Sequence, residues 1–283
     1  MKNKIFYVLL VVVFVAGLSL LLYPTVSNAY NNWIQSRAIV EYSQEVSQLS
    51  QETARAELEK AQQYNRELLD RDDPFGLPED LEAQYPTMLK MSKQEAMGYV
   101  QIPSISVLLP IAHGTSDEVL RDKIGHLEWS SLPVGGENTH CVISGHRGLP
   151  SAELFTNIDH LELGDKFYIN ALGQSLEYQV CNIAVVEPSD QRLLRIVEGK
   201  DLVTLVTCTP YGINSHRLLV QGIRSGTQTG DEQNLLIKNE VTQVDLVVLI
   251  SVLLVAVAVV AFLILMMNNK KKKGGQPDEK KAP

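Results

Sequence analysis

Thr204-Leu205-Val206-Thr207-Cys208-Thr209-Pro210-Tyr211 is followed, three residues later, by Ser215-His216-Arg217-Leu218-Leu219-Val220. The first stretch is a β-branched, apolar run that ends in a cysteine and a turn; the second opens on an arginine and becomes apolar again. Two such runs on either side of a turn read as neighbouring strands. Cys208 leaving one strand and Arg217 entering the next then face the same end of a sheet. A thiol in that position does chemistry when a base activates it and a cation holds the group it attacks. Val142-Ile143-Ser144-Gly145-His146-Arg147-Gly148 supplies the candidate base, His146. The pattern points to a cysteine transferase or hydrolase.

Working outward, the chain from Gly98 reads as short strands separated by turn signals. They cover Tyr99–Ile102, Val107–Ala112, Cys141–Ser144, Phe167–Ala171, Leu176–Val186, Leu202–Thr207 and Arg217–Ile223. Ala171-Leu172-Gly173-Gln174 has the look of a hairpin turn. Many short strands and few helices suggest a closed barrel, a mainly β fold. Upstream, Asn31–Leu69 lacks proline and glycine and repeats apolar positions at Trp33, Ala38, Tyr42, Val46 and Leu49. That spacing predicts one or two amphipathic helices. Between them and the barrel, Pro74, Gly76 and Pro78 disfavour a regular element and specify a loop.

The ends of the chain read as membrane. Ile5–Tyr23 is apolar and charge-free after Lys2 and Lys4, long enough to span a hydrocarbon core of ~30 Å as a helix. Ser27-Asn28-Ala29 is a passable cleavage site, but the apolar core is longer than a signal peptide needs, so an uncleaved anchor is expected. A second apolar run, Leu246–Met267, is followed by Lys270–Lys273. Lysines on the terminal side of both runs put both termini in the cytoplasm and everything between outside the cell. The expected layout is a cytoplasmic start at 1–4, a membrane helix at 5–23, an extracellular helical region at 24–69, a loop at 70–86 and a barrel at 87–225. A tether at 226–245, a second membrane helix at 246–267 and a basic tail at 268–283 follow.

Of 25 basic and 33 acidic residues, eight basic and two acidic ones lie in the flanks, which leaves a net charge of −14 on the exported part. Nucleic acid and anionic lipid surfaces are poor partners for such a surface. A substrate presenting lysine suits it better. Three cysteines, Cys141, Cys181 and Cys208, leave at least one thiol outside any internal disulfide. Cys141 and Cys181 sit in apolar, strand-like surroundings and read as small buried hydrophobes. Cys208, flanked by Thr207, Thr209 and Pro210, reads as the reactive one. Among the other histidines, His140 opens the strand toward His146 and reads as a structural, hydrogen-bonded group; His113, His126, His160 and His216 carry less. Neither His-Glu-x-x-His nor Cys-x-x-Cys occurs, and no acidic cluster resembles a calcium cage, so no metal and no cofactor is expected. Spacing alone leaves Arg147 open as a rival to Arg217.

These residues resemble the sortases, membrane-bound cysteine transpeptidases of Gram-positive bacteria. The family signature TLxTC is matched by Thr204 to Cys208, the arginine one strand later by Arg217, and the upstream histidine by His146. Asn138-Thr139-His140 through Gly148, and Cys208 through Gly212, are similar to class C, the pilus-assembling branch. The resemblance implies an eight-stranded β-barrel, with Cys208 as nucleophile, His146 as acid/base and Arg217 as the group holding the substrate carbonyl or oxyanion. It also implies that Asp73-Pro74-Phe75 is a lid, Asp73 toward Arg217 and Phe75 over Cys208, with Asp72 a competing acid. The implied partners are pilin proteins carrying an LPXTG-like sorting signal and an acceptor lysine. Rivals are a sortase that attaches proteins to peptidoglycan and a non-enzymatic membrane-anchored pilus scaffold.

Overall fold

The computed structural model describes residues 2–90 and 96–228. The second apolar run, the basic tail and the tether beyond Gln228 lie outside these residues. By internal packing, residues 2–29 belong to one compact unit and residues 30–228 to another.

Helix α1 (Lys2–Gln48) is the longest element, and it is long and apolar enough to cross a membrane. From Tyr30 onward α1 belongs to the barrel-bearing unit. There Ile39 and Tyr42 pack on Ala96 and Tyr99, and the Tyr42 hydroxyl donates to Met97 O and accepts from Leu172 N–H. Trp33 does not join this contact: it is 55% exposed, beneath the guanidinium of Arg37. Helix α2 (Gln51–Glu67) starts where Ser50 Oγ caps Thr53 N–H, one of the donors a helix start leaves unpaired. Its Ala61 and Tyr64 join the main core. The region expected to be a plain loop contains a short helix, α3 (Glu79–Gln84). Pro78 tolerates a helix starting after it, and Glu79, Asp80 and Glu82 complement the positive helix N-terminus.

Eight strands close into a barrel in the order β1-β2-β3-β4-β7-β8-β6-β5. They are β1 (Ala96–Ile102), β2 (Val107–His113), β3 (Ile124–His126), β4 (Thr139–Ser144), β5 (Lys166–Ala171), β6 (Gln174–Val186), β7 (Asp201–Thr209) and β8 (His216–Gln228). Seven occur where the hydrophobic pattern puts them. The eighth, β3, is three residues long and too short to show a period. Strand β8 runs on to Gln228, into what reads in sequence as the tether. The β5–β6 turn has positive φ at both Leu172 and Gly173, the twist a two-residue hairpin needs.

Alternate residues of β4, β7 and β8 fill the barrel: Ile143, Leu205, Leu218 and Val220 lie in the main core. Val142, Val206 and Leu219, one residue out of phase, form a separate apolar patch on the outer face. That patch is the floor on which the candidate site stands.

Candidate active site

Strand β7 lies between β4 and β8, parallel to the first and antiparallel to the second. The carboxyl ends of β4 and β7 and the start of β8 therefore share one rim. Cys208 and Arg217 are direct partners in the β7–β8 ladder. Each is two residues from a member of the outer patch, Val206 and Leu219, so both point to that face.

His146 follows from the parallel ladder. Thr139 to Ser144 pair with Asp201 to Val206 without a shift. Beyond the last pair, Gly145 N–H donates to Val206 O at 3.0 Å and Thr207 Oγ1 donates to Gly145 O at 2.8 Å. His146 is the next residue beyond Gly145, where β4 leaves the barrel at the same rim as the end of β7. Phe155 N–H, bonded to His146 O at 3.1 Å, holds the segment from the other side. The close approach needs a glycine before the histidine: a Cβ on Gly145 would sit 2.8 Å from both Ile124 and Phe155 side chains. Cys208, His146 and Arg217 are all half-buried, shielded yet reachable.

The two arginines near the rim differ in their commitments. Arg147 is ion-paired with Asp159 and lies over the Tyr211 ring. Arg217 Nη1 donates only to the carbonyls of Asn214 and His216, and no carboxylate pairs with it among the described residues. Its charge is thus available for an incoming carbonyl or oxyanion.

The Asp73-Pro74-Phe75 segment lies on the same outer face, but its contacts differ from those the resemblance implies. Asp73 Oδ1 accepts from Phe75 N–H at 3.0 Å, closing its own turn, and its charge bears on Arg71. No Asp73–Arg217 pair forms among the described residues. Phe75 packs on the patch of Val142, Leu194, Val206 and Leu219, edge-on to Trp129 at 5.1 Å and beneath Arg195 at 5.5 Å. It covers the floor beside Cys208 without touching the sulfur in any described contact. Arg71 Nη1 fastens the base of the segment, donating to Trp129 O at 2.6 Å and to Gly76 O at 3.3 Å. Trp129, Arg195 and Arg71 also build this face, and no sequence motif points to them. Trp129 is one of only two tryptophans and was the one available signal.

His140 is structural. Its Nδ1 donates to Arg195 O at 2.8 Å and its Nε2 accepts from Thr204 Oγ1 at 2.7 Å. Burial pushes its pKa down to about 4, which keeps the ring neutral, and the Arg195 carbonyl, which can only accept, puts the proton on Nδ1. The ring thereby steadies the loop that carries Arg195 over Phe75. Cys141 is buried as expected, and burial drives its thiol pKa well up. Cys181 corrects the reading: it is exposed at a bulge in β6, where the alternation of the strand breaks. All three cysteines are free thiols.

A closed barrel offering cysteine, histidine and arginine at the ends of three adjacent strands has the layout of a cysteine transpeptidase. A family model for the sortase domain matches residues 100–225. Sortase C1 of Streptococcus agalactiae is 44% identical and superposes with a TM-score of 0.65, covering 68% of this chain and 100% of that one. A sortase C of Streptococcus pneumoniae is 45% identical with a TM-score of 0.61, covering 68% of this chain and 98% of that one. Sortase A of Bacillus anthracis is 30% identical over 138 residues, 49% of this chain; the chain spans 64% of that protein's length. The chain belongs to the sortase family of cysteine transpeptidases, and its structural neighbours are class C sortases.

Proposed function

We propose that the protein is a membrane-anchored transpeptidase that polymerises pilin subunits. The Cys208 thiolate attacks the threonine carbonyl carbon of an LPXTG-like signal. The C–N bond to glycine breaks, His146 gives a proton to the departing amine, and a thioester remains on Cys208. Arg217 holds the carbonyl oxygen while it is negative. A neutral lysine Nζ of the next subunit then attacks the thioester; His146 takes the proton that nitrogen loses, Cys208 leaves as the thiolate, and an isopeptide bond forms. No step calls for a metal or a cofactor.

The observation that carries this reading is the register: an in-phase parallel β4–β7 ladder and the direct Cys208–Arg217 pair bring three distant residues to one rim. Phe75 on the apolar floor acts as a lid that an incoming signal displaces. Anchoring through the apolar runs toward its two ends, with both termini cytoplasmic, keeps the barrel beside membrane-retained substrates and raises their local concentration.

The test is incubation with a sorting-signal peptide and a lysine-bearing acceptor peptide. The reading expects a ligated product that Cys208→Ala abolishes. Ligation surviving that substitution overturns it. Ligation to a peptidoglycan amine in preference to lysine would favour the wall-attaching alternative.

A further inference from the structure

Strand β6 outruns its neighbour. Strand β5 accompanies it only as far as Gln179, opposite Lys166. Val180 then exchanges backbone bonds with loop residues, donating to Asp165 O and accepting from Gly164 N–H, both at 2.8 Å. From Cys181 to Val186 only β8 pairs with β6, and among the described residues nothing pairs along the other side. The bulge between Val180 and Asn182 marks where this free edge begins. At ~3.3 Å per residue the edge is roughly 20 Å long.

Its sequence, Cys-Asn-Ile-Ala-Val-Val, carries neither the charge nor the proline that usually guards an open edge. Val185 is 61% exposed, Ile183 37%, and Leu163, next to the Gly164 contact, 67%. Unpaired main-chain groups at strand spacing, with exposed alternate apolar side chains, match another extended backbone. A second copy of this chain is a poor occupant. Antiparallel self-pairing would bring Glu187 at one end of each edge toward Asp165 and Glu162 at the other end of its copy, acid against acid. The edge is also continuous with the site, because its last residue, Val186, pairs with Arg217.

We propose that Cys181–Val186 is an exosite that takes an extended segment of the polypeptide substrate as an added strand. This rests on the acyl-transfer reading for the identity of the partner. The added strand lies three strand spacings from β7, roughly 14 Å, so it is not the part that reacts. It holds substrate chain outside the sorting signal.

The test uses the full chain in lipid nanodiscs and two synthetic peptides: a Leu-Pro-x-Thr-Gly signal alone, and the same signal joined to an upstream segment of alternating valine and threonine. The expected result is a KM about tenfold lower for the long peptide, lost in an Ile183→Lys, Val185→Lys variant that still cleaves the short peptide at the wild-type rate. Amide exchange at Cys181–Val186 slows when the long peptide is added. Equal KM values with unchanged exchange, or a variant that weakens both peptides alike, overturn the exosite. Slow exchange without peptide that deepens with protein concentration means that a second copy covers the edge, and also overturns it. Protection by the long peptide with neither peptide cleaved leaves the edge standing and overturns the acyl-transfer reading instead.

Discussion

Cys208 and Arg217 are cross-strand partners in one antiparallel ladder, at the rim where the parallel β4 also ends. Partners of this kind keep Cβ atoms roughly 5 Å apart without relying on a flexible loop. The roots of the two side chains are therefore held side by side by the backbone itself. Replacing Arg217 by Ala is expected to lower kcat about 10²–10³-fold, as for loss of an oxyanion donor. Lys should restore part of it, because it returns the charge without the planar fork. Steady-state cleavage of a sorting-signal peptide measures both; equal activity in all three proteins would remove Arg217 from the chemistry.

Arg147 gives the contrasting case. Its pairing with Asp159 and its place over Tyr211 commit it to holding the His146 loop to the β7–β8 turn. Arg147→Ala is expected to cost about 1–2 kcal/mol of stability and far less of kcat than Arg217→Ala. Thermal unfolding and kinetics on the same preparations separate the two effects. A kcat loss matching that of Arg217→Ala would make Arg147 the catalytic cation.

The Asp73-Pro74-Phe75 segment is held by its ring and its base rather than by an ion pair with Arg217. Phe75→Ala removes the contacts with Trp129, Arg195 and the apolar floor, whereas Asp73→Ala opens only a local turn. Small-peptide kcat/KM should rise several-fold for Phe75→Ala and change less for Asp73→Ala. The reverse order would show that Asp73, not the aromatic ring, keeps the groove closed.

Two buried histidines set an acid limit on stability. His126 and His140 have pKa values pushed down from 6.5 to about 4 by burial. The unfolded chain takes up protons below about pH 6.5 that the folded chain refuses until about pH 4, so stability falls as pH drops through that window. Each contributes about 3 kcal/mol across it. Thermal unfolding from pH 7 to 4 checks the slope, and His140→Gln should flatten part of it. A melting temperature independent of pH over that range would contradict the buried neutral state.

Much of this architecture was legible in the sequence because barrel strands with one buried face announce themselves by period and by turn residues. Thr204–Cys208 and Arg217–Val220 reveal two neighbouring strands and the rim at which they meet. Strand β3 escaped because three residues show no alternation. Helix α3 escaped because Pro78 reads as a breaker, although it is acceptable at a helix start. Cys181 was misplaced because its apolar neighbours hide a bulge that only the pairing with β8 reveals. The contacts of Phe75 and its segment were out of reach for a similar reason: Arg71, Trp129 and Arg195 come from three separate segments, and no local pattern joins them to Phe75.

The most direct measurement is the intact mass of the protein after brief exposure to a sorting-signal peptide, followed by proteolytic mapping. The account predicts an acyl adduct equal to the signal truncated at threonine, labile to hydroxylamine, mapping to the segment containing residue 208 and lost in His146→Ala. An adduct on Cys141 or Cys181, or product turnover from a protein whose Cys208 has been replaced, would contradict it.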